Sequence, residues 1–176
     1  MIETFVSNWK LLFPIFKYPT KGLSLREIAK MSSLSHTYVR KKIKLLSDKN
    51  IVLIEKKHNA HYVYGNYENE KFIEMKKFYN LLSLIKLKEY LIKECSPRVI
   101  ILFGSYSRGE DTEKSDIDLY IGDISVRIED INMKNFEEEL NRRIDLFTQP
   151  LKEYPQELIE NIINGIKIYG WLDIWF

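Results

Sequence analysis

Cysteine occurs once in the 176 residues, at Cys95, so no internal disulfide can tie the chain together. A disulfide framework is excluded, and a reducing cytoplasm is the expected setting, with Cys95 read as a small packed side chain. No apolar run approaches the about eighteen residues that a membrane helix needs, and no charged-then-apolar segment of the secretory kind opens the chain. Glycine (7) and proline (5) are too few and too scattered for a flexible or Pro-rich linker, and no internal repeat is visible. Alanine is nearly missing, present only as Ala29 and Ala60. The three histidines, His36, His58 and His61, lack metal-ligand spacing and lie beside cations, which argues against zinc. No G-x-x-x-x-G-K-[ST] string is present, which argues against a P-loop enzyme.

What remains is a chain of folding composition, 45% apolar and 30% charged, whose net charge of +2 hides a division. Residues 1–67 hold 12 Lys+Arg against 4 Asp+Glu, or +8, and residues 68–176 hold 15 against 21, or −6. Such asymmetry fits a basic module that meets a polyanion, joined to an acidic module with another task.

In the basic part, Ser24 is placed to cap a helix with Leu25, Ile28 and Ala29 on its apolar face, and Glu27 completes a capping box. After a turn near Met31–Leu34, Ser35 is placed to cap a second helix carrying Val39, Ile43 and Leu46 at helical spacing. Its polar face shows His36, Thr37, Arg40, Lys41 and Lys44, short polar groups for base edges and cations for phosphates. Asn50 suits a left-handed helix end. IVLIEKK (51–57) and HYVYGN (61–66) then predict a hairpin with Lys56, Lys57 and His58 near its tip. Helices followed by a basic hairpin resemble the winged helix-turn-helix of prokaryotic transcription regulators, which implies binding to double-stranded DNA, commonly as a homodimer. A trihelical fold of this kind also serves as a protein-docking module. Between the parts, residues 69–95 predict helix with a break near Asn80; Phe72, Met75, Tyr79 and Leu82, then Leu84, Leu87 and Leu91, form its apolar stripe.

The acidic part carries VIILF (99–103), then GSYSRGEDTEKSDIDL (104–119). Two apolar runs separated by a polar stretch predict strand, turn, strand. On the second strand Asp116 and Asp118 project to one side while Ile117 and Leu119 turn to the other. Paired carboxylates repel unless a cation sits between them, and hard oxygen donors suit Mg²⁺. Gly104 permits close backbone approach, Ser105 offers a hydroxyl and an N–H where a turn or helix begins, and Arg108 can hold a phosphate or a structural salt bridge. Asp145, in RRIDLFTQ (142–149), is the candidate third carboxylate. Glu110, Asp111 and Glu113 read as solvated loop charges. The terminal WLDIWF (171–176) reads as packing over a sheet, with a partner interface as the alternative.

Gly-Ser, ten residues, Asp-x-Asp and a further Asp on a later strand resemble the signature of polymerase-β-like nucleotidyltransferases. In particular they resemble the minimal branch, whose members often read GSxARGxxxxxSDIDL; Ser107 stands where Ala is frequent. The ending ELIENIINGIKIYG (157–170) also resembles that branch. The resemblance implies an α+β chain, with a winged helix-turn-helix over 1–67 and a helical connector over 68–96. Residues 97–176 would form a small mixed-sheet nucleotidyltransferase domain with helices packed on it. It implies that Gly104 and Ser105 hold the triphosphate and that Asp116, Asp118 and Asp145 bind Mg²⁺ or Mn²⁺. It further implies transfer of a nucleoside monophosphate, often AMP, from an NTP such as ATP to a hydroxyl. The acceptor would be an RNA end or a protein, as in relatives that act as antitoxins by adenylylating a small helical toxin. The alternative is a transcription regulator whose second domain only senses nucleotide or docks a partner.

Overall fold

A computed structural model describes residues 2–57, 60–126 and 131–173, the side chains of residues 2–8 excepted. The chain divides into two compact units, Met1–Tyr79 and Asn80–Phe176.

The first unit opens with helix α1 (Ile2–Lys17), which buries Leu11, Leu12, Ile15 and Phe16 along one stripe. Strand β1 (Leu23–Ser24) leads into α2 (Leu25–Ser32), and α3 (His36–Asp48) follows. The expected capping box is present. The Ser24 amide donates to Glu27 Oε2 at 2.8 Å and the Glu27 amide donates back to Ser24 Oγ at 3.3 Å. Ser33 ends α2 in a left-handed conformation, and Ser35 Oγ accepts the Tyr38 amide at 3.3 Å to start α3. Asn50 is left-handed as well (φ 55°), and its carbonyl accepts from Asn66 Nδ2 at 2.7 Å.

Strands β2 (Val52–Lys57) and β3 (Ala60–Gly65) pair antiparallel, and β1 adds to β3, giving the order β1-β3-β2. The hairpin tip with His58 lies outside the described residues. Ile28, Val39, Ile43, Val52, Val63 and Phe72 join the α1 stripe in one core. Phe72 comes from α4 (Glu70–Ser83), a helix that runs through the division between the units.

The second unit continues with α5 (Ile85–Cys95), so the helical break falls at Leu84 rather than near Asn80. Leu84, Leu87 and Leu91 are buried as expected, while Leu82 is 41% exposed and leaves the stripe. Strands β4 (Val99–Phe103), β5 (Ile117–Gly122), β6 (Ile144–Phe147) and β7 (Ile166–Gly170) form a mixed sheet in the order β6-β5-β4-β7. β5 and β6 are parallel, which requires a crossover, and α7 (Lys134–Leu140) lies within it. A single 3-10 turn (Leu151–Glu153) and α8 (Gln156–Ile163) precede β7.

β4 is buried at every position because both of its faces are covered. Ile100 and Leu102 share a cluster with Leu87 and Leu91 of α5, while Val99, Ile101 and Phe103 share one with Ile162 of α8. Ile117, Leu119 and Ile121 of β5 join the first cluster, which turns Asp118 and Tyr120 toward the other face. The ending meets its packing expectation only in part: Leu172 packs against the cluster of Val99, Ile101 and Phe103, and Trp171 does not. Trp171 is 66% exposed, with Lys167 Nζ 4.7 Å from its ring centroid, and 174–176 lie outside the described residues.

Candidate active site at the strand ends

The stretch expected to be a polar turn begins as helix. α6 (Gly104–Arg108) starts directly at the end of β4, and no side chain caps its first turn. Gly104 has φ +71°, a conformation that favours glycine, and Asp118 Oδ2 lies where a Cβ on residue 104 would have to be. The two residues meet because Phe103 and Asp118 are opposite one another across the β4/β5 ladder. Ser107 Oγ donates to the Gly104 carbonyl at 2.8 Å, which ties down the corner. Gly109 closes α6 in the left-handed region, and the Glu110 amide bonds to Ser105 O at 3.1 Å.

On its other side Asp118 is the register partner of Asp145 across the parallel β5/β6 pair. Ile117 N donates to Arg143 O at 2.9 Å and sets that register. Burial, then the negative charges of Asp145 and Asp116, push the Asp118 carboxyl above its ordinary range; Arg108 opposes the shift. Asp118 therefore stands among three neighbours named in the sequence: Gly104, Asp116 and Asp145.

The three carboxylates are neighbours without forming a closed cage. Among the described residues no three Asp, Glu, His or Cys side chains converge tightly enough to grip a metal ion. Mutual repulsion acts on them, and Arg143 Nη2 takes Asp145 Oδ1 at 2.8 Å. The donor set itself is all hard oxygen on adjacent segments, with a half-buried central carboxylate whose charge its surroundings penalise. That chemistry fits a divalent cation of the Mg²⁺ or Mn²⁺ kind.

Of the other residues, Arg108 is exposed and its Nε meets Glu110 Oε2 at 2.7 Å, the salt-bridge alternative for that side chain. Asp111 corrects the expectation of a solvated loop charge. It is fully buried, accepts from Asn80 Nδ2 at 2.6 Å, and meets Arg142 Nη2 at 2.9 Å as an ion pair rather than a well-aligned hydrogen bond. A charge reads as solvated when its partner is distant, and Asn80 and Arg142 are each 31 residues away. Arg142, Asn80 and Arg143 carry no motif of their own; the only signal was a polar Asn inside an apolar stripe and an Arg-Arg step before the IDLF run.

In the first unit His36, Thr37, Arg40, Lys41 and Lys44 are all exposed on α3, and Lys56 and Lys57 are exposed on β2. Lys57 Nζ donates to Tyr64 Oη at 2.7 Å and meets Glu55 at 3.0 Å, and these partners push its pKa up to about 12. No helix among the described residues is long and apolar enough to cross a membrane.

Residues 85–171 match the family model described as Polymerase beta, Nucleotidyltransferase, a span that begins at the first residue of α5 and ends one residue past β7. No curated protein matches the chain. The mixed sheet, the Gly104 corner and the acidic strand ends all fall inside the matched span.

Proposed function

We propose, from the nucleotidyltransferase domain at residues 85–171, that the second unit transfers a nucleoside monophosphate, AMP for preference, from an NTP to a hydroxyl. The observation that carries this reading is the placement of Asp118 between the Gly104 corner and Asp145. A corner with no side chain lets the Asp118 carboxylate sit against the backbone at Gly104, and the amides and hydroxyl at Gly104 and Ser105 supply donors for the triphosphate. Arg108, exposed beside them, is free to swing from Glu110 to a phosphate oxygen.

Asp116, Asp118 and Asp145 are the residues that would hold Mg²⁺ or Mn²⁺, which when bound neutralises charge on the triphosphate and the leaving group. The acceptor oxygen attacks the α-phosphorus and a new P–O bond forms. The bond to the bridging oxygen breaks, and pyrophosphate leaves with that electron pair. The acceptor proton passes to the Asp145 carboxylate and then to water. Positioning and charge stabilisation carry the reaction, and no histidine base is needed.

The first unit, in this proposal, is a winged helix-turn-helix that holds double-stranded DNA. His36, Thr37, Arg40, Lys41 and Lys44 of α3 would face the groove, and Lys56 and Lys57 of the hairpin would meet phosphates. The +8 charge of residues 1–67 and the exposure of all seven side chains support it. A homodimer on paired half-sites and a protein acceptor of the antitoxin–toxin kind belong to the same proposal. A second reading, a regulator that only senses nucleotide, is favoured by two observations: Arg143 engages Asp145, and the carboxylates are not gathered into a cage.

ATP labelled at the α- or the γ-phosphate separates these readings. Transfer of AMP places only the α label on protein or RNA, in the presence of Mg²⁺. Acceptor labelled by the γ-phosphate would indicate a kinase, and unlabelled acceptor with retained ATP binding would favour the sensor.

A further inference from the structure

We infer that Arg142 is a positioning residue that clamps the turn ahead of Asp116 to the start of the strand carrying Asp145. The inference rests on the nucleotidyltransferase reading and deepens it, since it assigns the part that sets the spacing of the acidic side chains.

Arg142 lies three residues before Asp145, and its side chain is 4% exposed. Its guanidinium turns back onto the preceding loop. Nη1 donates to the carbonyls of Thr112 and of Ser115, the latter at 3.3 Å, and Ser115 is the residue before Asp116. Nη2 meets Asp111 at 2.9 Å, and the group lies 5.5 Å from the centroid of the Tyr106 ring. On the far side of Asp116, Ile117 N bonds to Arg143 O at 2.9 Å. Asp116 is thus fixed on one flank by Arg142 and on the other by Arg143, the two residues that lead into the Asp145 strand.

The anchor beneath is itself tied down. Asn80 Nδ2 donates both to Asp111 Oδ1 at 2.6 Å and to the Tyr106 carbonyl at 2.8 Å, and Tyr106 Oη lies 2.8 Å from Ser83 Oγ. The network therefore reaches from the end of α4 through α6 to the loop and β6. Stability is a poor account of such a pair, because two buried charges give up their hydration, and an apolar pair of similar volume often packs as well or better. Geometry is the better account. A planar guanidinium has five donors in a fixed fork, enough to grip two carbonyls and a carboxylate at once, which a lysine ammonium on a flexible stem does not reproduce.

The test compares wild type with Arg142→Lys, which keeps the charge against Asp111 but lacks the fork. Three readouts are taken: Mn²⁺ affinity by electron paramagnetic resonance, amide hydrogen exchange across residues 112–118, and kcat and KM for nucleotidyl transfer from MgATP. The clamp predicts roughly tenfold weaker Mn²⁺ binding and a similar fall in kcat with little change in KM. Exchange across 112–118 should speed up while that of β4 stays slow. A lower melting temperature with Mn²⁺ affinity and exchange unchanged would overturn it and leave Arg142 a structural ion pair. The double variant Asp111→Asn with Arg142→Gln removes both charges of this pair together, and it should show the same loosening if the lysine variant does not fold. Wild type that binds Mn²⁺ but transfers nothing would defeat the transferase reading while the exchange and affinity results still decide the clamp. Wild type that transfers nucleotide, with the variants matching it in exchange and affinity, would defeat the clamp alone.

Discussion

The Asp118 carboxylate lies in the space that a side chain on residue 104 would have to enter, so the glycine and the acid are two halves of one corner. Gly104→Ala should cost about 1–3 kcal/mol in a urea titration, because alanine is strained at φ +71° and displaces the carboxylate. Nucleotidyl transfer should fall by about 100-fold or more, the scale expected of a misplaced reacting group. Full activity in the alanine variant would contradict the corner as the phosphate site.

Asp118→Asn should separate stability from activity. Folding raises this carboxyl above its ordinary 3.8, so the fold favours the neutral form. That contribution is complete below the ordinary value and is lost as pH rises through the raised one. At neutral pH the ionised group is a burden, and the asparagine variant should melt higher than wild type while its transfer falls to background. Thermal melts across a pH series should show the gap closing in acid. A variant that melts lower at pH 7 would contradict the penalty assigned to burial and to the neighbouring carboxylates.

Breaking the buried pair on one side only should be severe. Asp111→Ala leaves the Arg142 guanidinium buried without its carboxylate and should cost about 3–5 kcal/mol by chemical denaturation. A loss below about 1 kcal/mol, the scale of an exposed pair, would restore the solvated-loop expectation for Asp111.

At the start of α2 the capping box should respond to acid. Its hydrogen bonds to Ser24 hold Glu27 below the ordinary 4.5, so its contribution is present above that value and is lost as pH falls through the lowered one. Ser24→Ala should cost about 1 kcal/mol at neutral pH, and the difference should narrow in acid. A cost independent of pH would place the cap elsewhere.

The proposed DNA face has its own test. Arg40→Ala or Lys41→Ala should weaken binding to duplex DNA across sequences and reduce the salt slope by about 1 each. Identical affinities across the salt series would remove α3 from the interface.

What was legible in the sequence was local. Ser24, Glu27 and Ser35 announce their helices through spacing of three residues, and Asn50 announces its left-handed turn. Asp116, Asp118 and the Gly-Ser corner lie within one short stretch, so a motif finds them. What lay beyond reach depends on distant partners. Asp111 looked solvated because nothing nearby in sequence foretells Asn80 or Arg142. Helix α1 has no reading among the sequence expectations; its Pro14, a residue that disfavours helix interiors, falls in the last turn. Trp171 was expected to pack because it is aromatic; it stays exposed against Lys167 instead.

The central claim is that these acidic side chains transfer a nucleotide, and one comparison tests it most directly. Wild type and Asp116→Ala/Asp118→Ala are incubated with α-labelled ATP, Mg²⁺ and a panel of protein and RNA acceptors. The account predicts label on an acceptor with wild type and background with the double variant. Equal label with both proteins, or none with either across the panel, would contradict it.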